Sequence, residues 1–148
     1  DQVTGLDTSP AMLAELATKI SRAGLHNVGT LQADLVRGDP LPTTYDLVTS
    51  SMALHHVSDV SAVLPRLLAA TVPGGRLALA DLDFEGGVFH DDNAGVYHFG
   101  FDRIDLADTL AGLGWTEIDA KTAATIDKPG KDGVTRPFTV FLMTARKP

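Results

Sequence analysis

The chain contains no cysteine, which excludes disulfide cross-links and thiolate metal sites and fits a reducing, cytoplasmic setting. Positive charge is scarce as well: twelve Lys and Arg stand against nineteen Asp and Glu, for a net charge of −7. The basic residues are scattered singly apart from Arg146 and Lys147, so no basic stripe is available to hold a nucleic acid. No run approaches the roughly 18 apolar residues of a membrane span, and no charged segment leads into an apolar one as in a signal peptide. Neither nucleic acid nor membrane is therefore an expected partner. The start of the chain lacks two further things: its first residue is Asp1, not Met, and no glycine-bearing loop precedes the first apolar run.

The 148 residues, 44% of them hydrophobic, suffice for one globular domain with one core, expected over residues 1–148. "VTGLD", Val3 to Asp7, reads as a short strand ending on an acid. Ser9 then suits a helix N-cap and Pro10 the first helical position. Leu13, Leu16, Ala17 and Ile20 form one apolar stripe that ends at Gly24, so Ser9 to Ala23 is a helix. "NVGTLQAD", Asn27 to Asp34, is a second strand ending on a carboxylate, and a proline-bearing polar loop follows. "YDLVTSSMALHH" opens as an apolar strand with a small polar exit at Thr49, Ser50 and Ser51.

A helix is expected from Ser61, with Leu64, Leu67 and Leu68 on one face and Pro65 tolerated near its start. "VPGG", Val72 to Gly75, has turn chemistry, and "RLALADLD", Arg76 to Asp83, reads as a buried strand of a parallel sheet. Phe84 to Phe101 shows neither helical nor strand periodicity and is a candidate lid or substrate loop. Asp102 caps a helix carrying Ile104, Leu106, Ala107 and Leu110. Trp115 to Ala120 and Phe138 to Ala145 are then strands that should pair as an antiparallel hairpin across "DKPGKDGVTRP". The alternation predicts a three-layer, Rossmann-like α/β sheet, mainly parallel, with an antiparallel C-terminal hairpin.

Ligands of open α/β sheets collect at the carboxyl ends of the strands, where Asp7, Asp34 and the Ser50/Ser51 pair fall. A strand-end acid can accept from ribose hydroxyls, and Asp34 from an adenine amino group. Solvated strand-end residues are the alternative reading of either acid. His55 and His56 follow the third strand exit and are the candidate catalytic bases, with packed loop histidines as the alternative. His90, Tyr97 and His98 on the loop are candidate substrate contacts. No i, i+4 His pair or other recognisable metal spacing is present, so no metal site is expected.

"GLDTSPAML", "LQADL", "YDLVTSSMALHHV" and "VPGGRLALADLD" together resemble, in order and spacing, the motifs of class I S-adenosylmethionine-dependent methyltransferases. The likeness runs from Val3 to about Asp83 and is nearest to the small-molecule group that includes the ubiquinone and menaquinone C-methyltransferases. The resemblance implies that Asp7, with Thr8 beside it, binds the cofactor ribose and that Met12 lies against the adenine region. It further implies that Asp34 and Leu35 meet the adenine, and that Ser50 lies near the methionine moiety. S-adenosylmethionine is the implied cofactor and a small molecule the implied methyl acceptor.

The family's first strand and glycine loop have no counterpart here; "GLGW" at Gly112 to Trp115 is a helix-ending turn. In the family that strand sits mid-sheet, between those assigned to Val3–Asp7 and Tyr45–Ser50, and a missing unit of this kind is at least roughly 30 residues. Unpaired strand edges recruit other chains. The expectation is therefore an N-terminally truncated sheet belonging to a longer protein, with a homodimer through the free edges or a rearrangement as alternatives. Two other functional classes compete: a methyltransferase-like module that no longer binds cofactor and serves as an assembly partner, and a nicotinamide-dependent oxidoreductase using Asp7. The C-terminal hairpin and the second acid at Asp34 argue against the last.

Overall fold

A computed structural model describes all 148 residues. They form two compact units, Asp1–Pro42 and Thr43–Pro148. In the first unit, strand β1 (Val3–Asp7) and strand β2 (Val28–Gln32) pair in parallel, in register from Val3 opposite Val28 to Asp7 opposite Gln32. Helix α1 (Pro10–Ala23) connects them. The Ser9 side chain accepts from the Met12 N–H at the helix start, Pro10 occupies the first turn, and Gly24 closes the end, as the sequence pattern requires.

The second unit is built on a four-stranded sheet in the order β3-β4-β6-β5. Strand β3 (Tyr45–Ser51) runs parallel to β4 (Thr71–Leu82), while β6 (Thr135–Arg146) lies antiparallel between β4 and β5 (Thr116–Pro129). A single 3-10 turn (Leu54–His56) and helix α2 (Val60–Ala70) link β3 to β4. Helix α3 (Arg103–Gly112) follows the loop after β4 and is capped by Asp102. Leu77, Leu79, Leu82, Leu110, Phe141 and Met143 are among the fully buried side chains of its core.

The architecture departs from expectation in several places. The strands form two hydrogen-bonded sheets with two parallel and two antiparallel pairings, and not one mainly parallel sheet. "VPGG" does not separate α2 from the strand but bulges within β4: Tyr45 pairs with Thr71 and Leu47 with Arg76, so the extra residues loop out at Gly74, whose φ is 79°. Helix α2 starts at Val60 on an Asp59 cap, not at Ser61. That placement puts Pro65 inside the helix, where its missing N–H leaves the Ser61 carbonyl without its helical partner; Pro65 is exposed, so water can replace the bond.

The hairpin is longer than its composition suggests, because β5 and β6 pair from Thr116 opposite Arg146 out to Pro129 opposite Thr135. Pro137 is tolerated because β4 covers β6 only from Val140 to Arg146, leaving the other edge of the outer part free of a ladder. No helix is long and apolar enough to cross a membrane.

Candidate active site

In the first unit, β1 places Asp7 in the lining of a cleft of about 240 Å³, together with Gly5, Leu6, Met12, Leu13, Glu15, Leu16 and Lys19. One Asp7 carboxylate oxygen, Oδ1, accepts from the Ser9 N–H at 2.8 Å, so it anchors the strand-to-helix turn while Oδ2 stays uncommitted. Met12 is 57% exposed on the first turn of α1. Thr8 is exposed, and its carbonyl accepts from the Gln32 side chain at 3.2 Å.

Asp34 is half-buried and uses Oδ1 in the same manner, accepting from the Val36 and Arg37 N–H groups at 2.9 and 3.2 Å. Leu35 is half-buried in that turn. Thr8, Asp34 and Leu35 do not line the cleft. The structure thus brings Asp7 and Met12 to one concavity and leaves Asp34 and Leu35 in a separate acidic turn.

In the second unit, Ser50 sits on β3 opposite Leu79 and is half-buried. Two residues on, Met52 adopts φ 51°, a left-handed conformation that costs a non-glycine residue of order 1 kcal/mol. Its N–H is held by the Ala80 carbonyl at 2.8 Å. This sharp exit turns the chain into the 3-10 turn and drives His55 inward, to 1% exposure.

The partner of His55 is Asp81, wholly buried on β4. Asp81 Oδ1 lies 2.6 Å from His55 Nδ1 and accepts from the Leu82 N–H at 2.8 Å; Oδ2 accepts from the Leu54 and His55 N–H groups at 2.9 and 3.2 Å. A carboxylate offers only acceptors, so the imidazole donates its Nδ1–H to Asp81 and turns Nε2 away from it. That nitrogen faces His90: the two Nε2 atoms are 3.3 Å apart. His56, exposed, lies beside them with ring centroids 4.1 Å from His55 and 5.6 Å from His90, its Nδ1 2.7 Å from the Gly95 carbonyl.

Partial burial, and then the neighbouring imidazoles of His55 and His56, push the half-buried His90 imidazole below its ordinary value. The arrangement Asp81, His55, His90 is a buried relay with a surface end, able to orient one ring and to take up or release a proton at the other.

The loop from Phe84 to Phe101 is what carries His90 there. Phe84 and Glu85 donate N–H groups to the Phe101 and Phe99 carbonyls, closing its base, and Glu85 Oε2 accepts from Val88 and Phe89 at 2.5 and 2.7 Å. Phe89 packs with Leu82, Phe138 and Val140, fixing the residue before His90 in the core. Tyr97 and His98 donate their backbone N–H groups to the His55 carbonyl at 3.0 and 3.2 Å. Their side chains go elsewhere: Tyr97 is 61% exposed, and His98 Nε2 is 3.0 Å from the Val57 carbonyl.

Behind the relay, Asp83 binds Arg103 through two contacts of 2.6 Å and accepts the Thr139 hydroxyl at 2.5 Å, while Arg103 also reaches the Thr122 hydroxyl. The Arg103 guanidinium holds the Asp83 carboxyl below the usual carboxylate range.

Sequence reading therefore found His55 and His56 as candidate bases and His90 as a candidate substrate contact, without joining them, and it missed Asp81. The signal was present: a carboxylate inside an otherwise apolar strand must be hydrogen-bonded or it will not be buried.

Matched against solved structures, the chain has the α/β methyltransferase fold, with parallel and antiparallel strands. It superimposes over 99% of its length on YcgJ of Bacillus subtilis (TM-score 0.77, 14% identity, 82% of that chain). It does so equally on a phosphoethanolamine N-methyltransferase 2 of Haemonchus contortus, solved in complex with S-adenosyl-L-methionine (TM-score 0.76, 16% identity, 43% of that chain). Over residues 1–77, just over half its length, the sequence matches the family model described as a methyltransferase domain, and the chain belongs to that family.

Among curated relatives, an uncharacterized methyltransferase of Schizosaccharomyces pombe is 31% identical over 113 residues, covering 67% of this chain and 40% of the relative. The demethylmenaquinone methyltransferase of Listeria monocytogenes is 38% identical over 84 residues, covering 53% and 33% respectively. The matched region thus spans well under half the length of these two relatives.

Proposed function

We propose that the chain serves S-adenosylmethionine-dependent methyl transfer to a small-molecule acceptor, of the kind catalysed by the ubiquinone and menaquinone C-methyltransferases. The observation that carries this reading is the extent of the family match, which runs through Asp7, Asp34, Ser50 and the His55–His56 pair. The residues fit the cofactor: Asp7 and Asp34 each tie Oδ1 to backbone N–H groups and keep Oδ2 uncommitted for a hydroxyl or amino donor. In this reading Asp7 and Thr8 hold the ribose, Met12, Asp34 and Leu35 the adenine, and Ser50 the methionine end.

S-adenosylmethionine, when bound, supplies an activated methyl group. The chain's own contribution is to hold the acceptor in line, exclude water and accept a proton where the acceptor must lose one. His55 is too buried to meet an acceptor itself, so it acts through His90, while the exposed His56 flanks the approach. Tyr97, with its side chain in solvent, and His98 complete the substrate side.

Calorimetric titration with S-adenosylhomocysteine tests the proposal. Micromolar binding that is lost in Asp7→Ala is the expected result. No heat from a folded sample would overturn it and favour a methyltransferase-like module that has given up its cofactor.

A further inference from the structure

We propose that His55, His56 and His90 form a binding site for a borderline transition-metal ion of the Zn²⁺ type. One ring nitrogen from each of the three lies within 4.8 Å of the others. The spacing of the two better-fixed nitrogens is informative. Zn–N bonds of about 2.0–2.1 Å at a tetrahedral angle place two ligand nitrogens about 3.4 Å apart, and His55 Nε2 and His90 Nε2 stand 3.3 Å apart. In the absence of metal the same two atoms stand within hydrogen-bonding distance of each other.

The surroundings of the pair point the same way. A metal-bound imidazole characteristically donates its other N–H to a carboxylate, which fixes its tautomer and aims the ligating nitrogen. His55 does so to Asp81, and Asp81 is itself fixed by three backbone N–H groups. His56, exposed, brings the third ring nitrogen within 4.8 Å of the other two. Three imidazoles are the protein donor set of a catalytic zinc site, whose fourth position takes an oxygen of water or of a bound small molecule.

The site lies wholly within residues Thr43–Pro148, and the Asp7→Ala change that tests cofactor binding touches none of its residues. Nothing in local sequence spacing announces it, because 35 positions separate His55 from His90.

The test is competition for Zn²⁺ against a chromophoric chelator on the whole chain, with Co²⁺ absorption as a report of coordination geometry. The expected result is one ion per chain with a tetrahedral Co²⁺ spectrum. His90→Ala, His90→Gln and His56→Ala should each weaken affinity at least about tenfold, and Asp81→Asn about 10–100-fold. His26→Ala, on the other unit, should leave uptake unchanged. Absence of stoichiometric uptake by chain shown folded by circular dichroism, or uptake indifferent to both His90 variants, would overturn the proposal and leave the two nitrogens as a hydrogen-bonded pair.

Discussion

Replacing Asp81 by Asn changes one atom in a wholly buried side chain and should invert the tautomer of His55. All four contacts to the carboxylate come from nitrogen: three backbone N–H groups and His55 Nδ1. Whichever way the amide of Asp81→Asn is turned, its NH₂ faces two of them. Toward Leu54 and His55 N–H it meets two fixed donors. Toward His55 Nδ1 and Leu82 N–H it meets one fixed donor and one ring that can move its proton. The second orientation is the cheaper, so His55 should accept at Nδ1 and carry its proton at Nε2.

One backbone N–H, that of Leu82, then loses its acceptor at a cost of about 1–3 kcal/mol, and the remaining charge-assisted bonds weaken by a further 1 kcal/mol or so. A total of about 2–4 kcal/mol should appear as a shift in the urea midpoint at unchanged slope. The tautomer is read from ¹⁵N shifts of the imidazole, where the protonated nitrogen of His55 should move from Nδ1 to Nε2. A variant within about 0.5 kcal/mol of the parent that retains the Nδ1–H tautomer would refute the assignment of Asp81 as the group orienting His55.

Two further outcomes follow from the same unit. Gly100 has φ 81°, and a Cβ there would stand 2.2 Å from the Asp83 carbonyl oxygen; Gly100→Ala should destabilise by about 2 kcal/mol or more in urea, and a neutral effect would show that the loop base can open without cost. Asp83 has a folded pKa depressed by Arg103, so its contribution is fully present above the ordinary carboxylate pKa of about 3.9 and is lost as pH falls through the lower folded value. The stability gap between the parent and Arg103→Gln should therefore be wide at pH 7 and narrow toward pH 3, and a gap independent of pH would count against that pairing.

Periodicity and capping chemistry made much of the fold legible. Ser9, Pro10 and Gly24 bound α1, Asp102 caps α3, and the apolar runs at Tyr45 and Arg76 became paired strands. What failed did so where local composition was overruled by pairing. "DKPGKDGVTRP" has turn residues throughout, yet most of it extends the hairpin, because an outer strand segment tolerates proline and charge that a central one would reject. "VPGG" has turn geometry but sits inside a ladder that simply bulges around it. At the site, His55 and His56 were visible as neighbours at a strand exit. The approach of His90 was not, since it depends on Phe89 docking in a core and on a loop whose base is closed by backbone bonds, neither of which leaves a period in the sequence.

The Asp83 contacts carry a consequence for the long hairpin. Sliding β5 past β6 by two residues keeps every side chain on its original face, so hydrophobic patterning alone does not forbid the slip. Such a slip moves Thr122 about 7 Å along the strand. Thr122 on β5 and Thr139 on β6 are both tied to the Asp83–Arg103 pair, so they can reach it together in only one alignment. The pair works as a registration key: it distinguishes the native pairing of these strands from the two-residue slip.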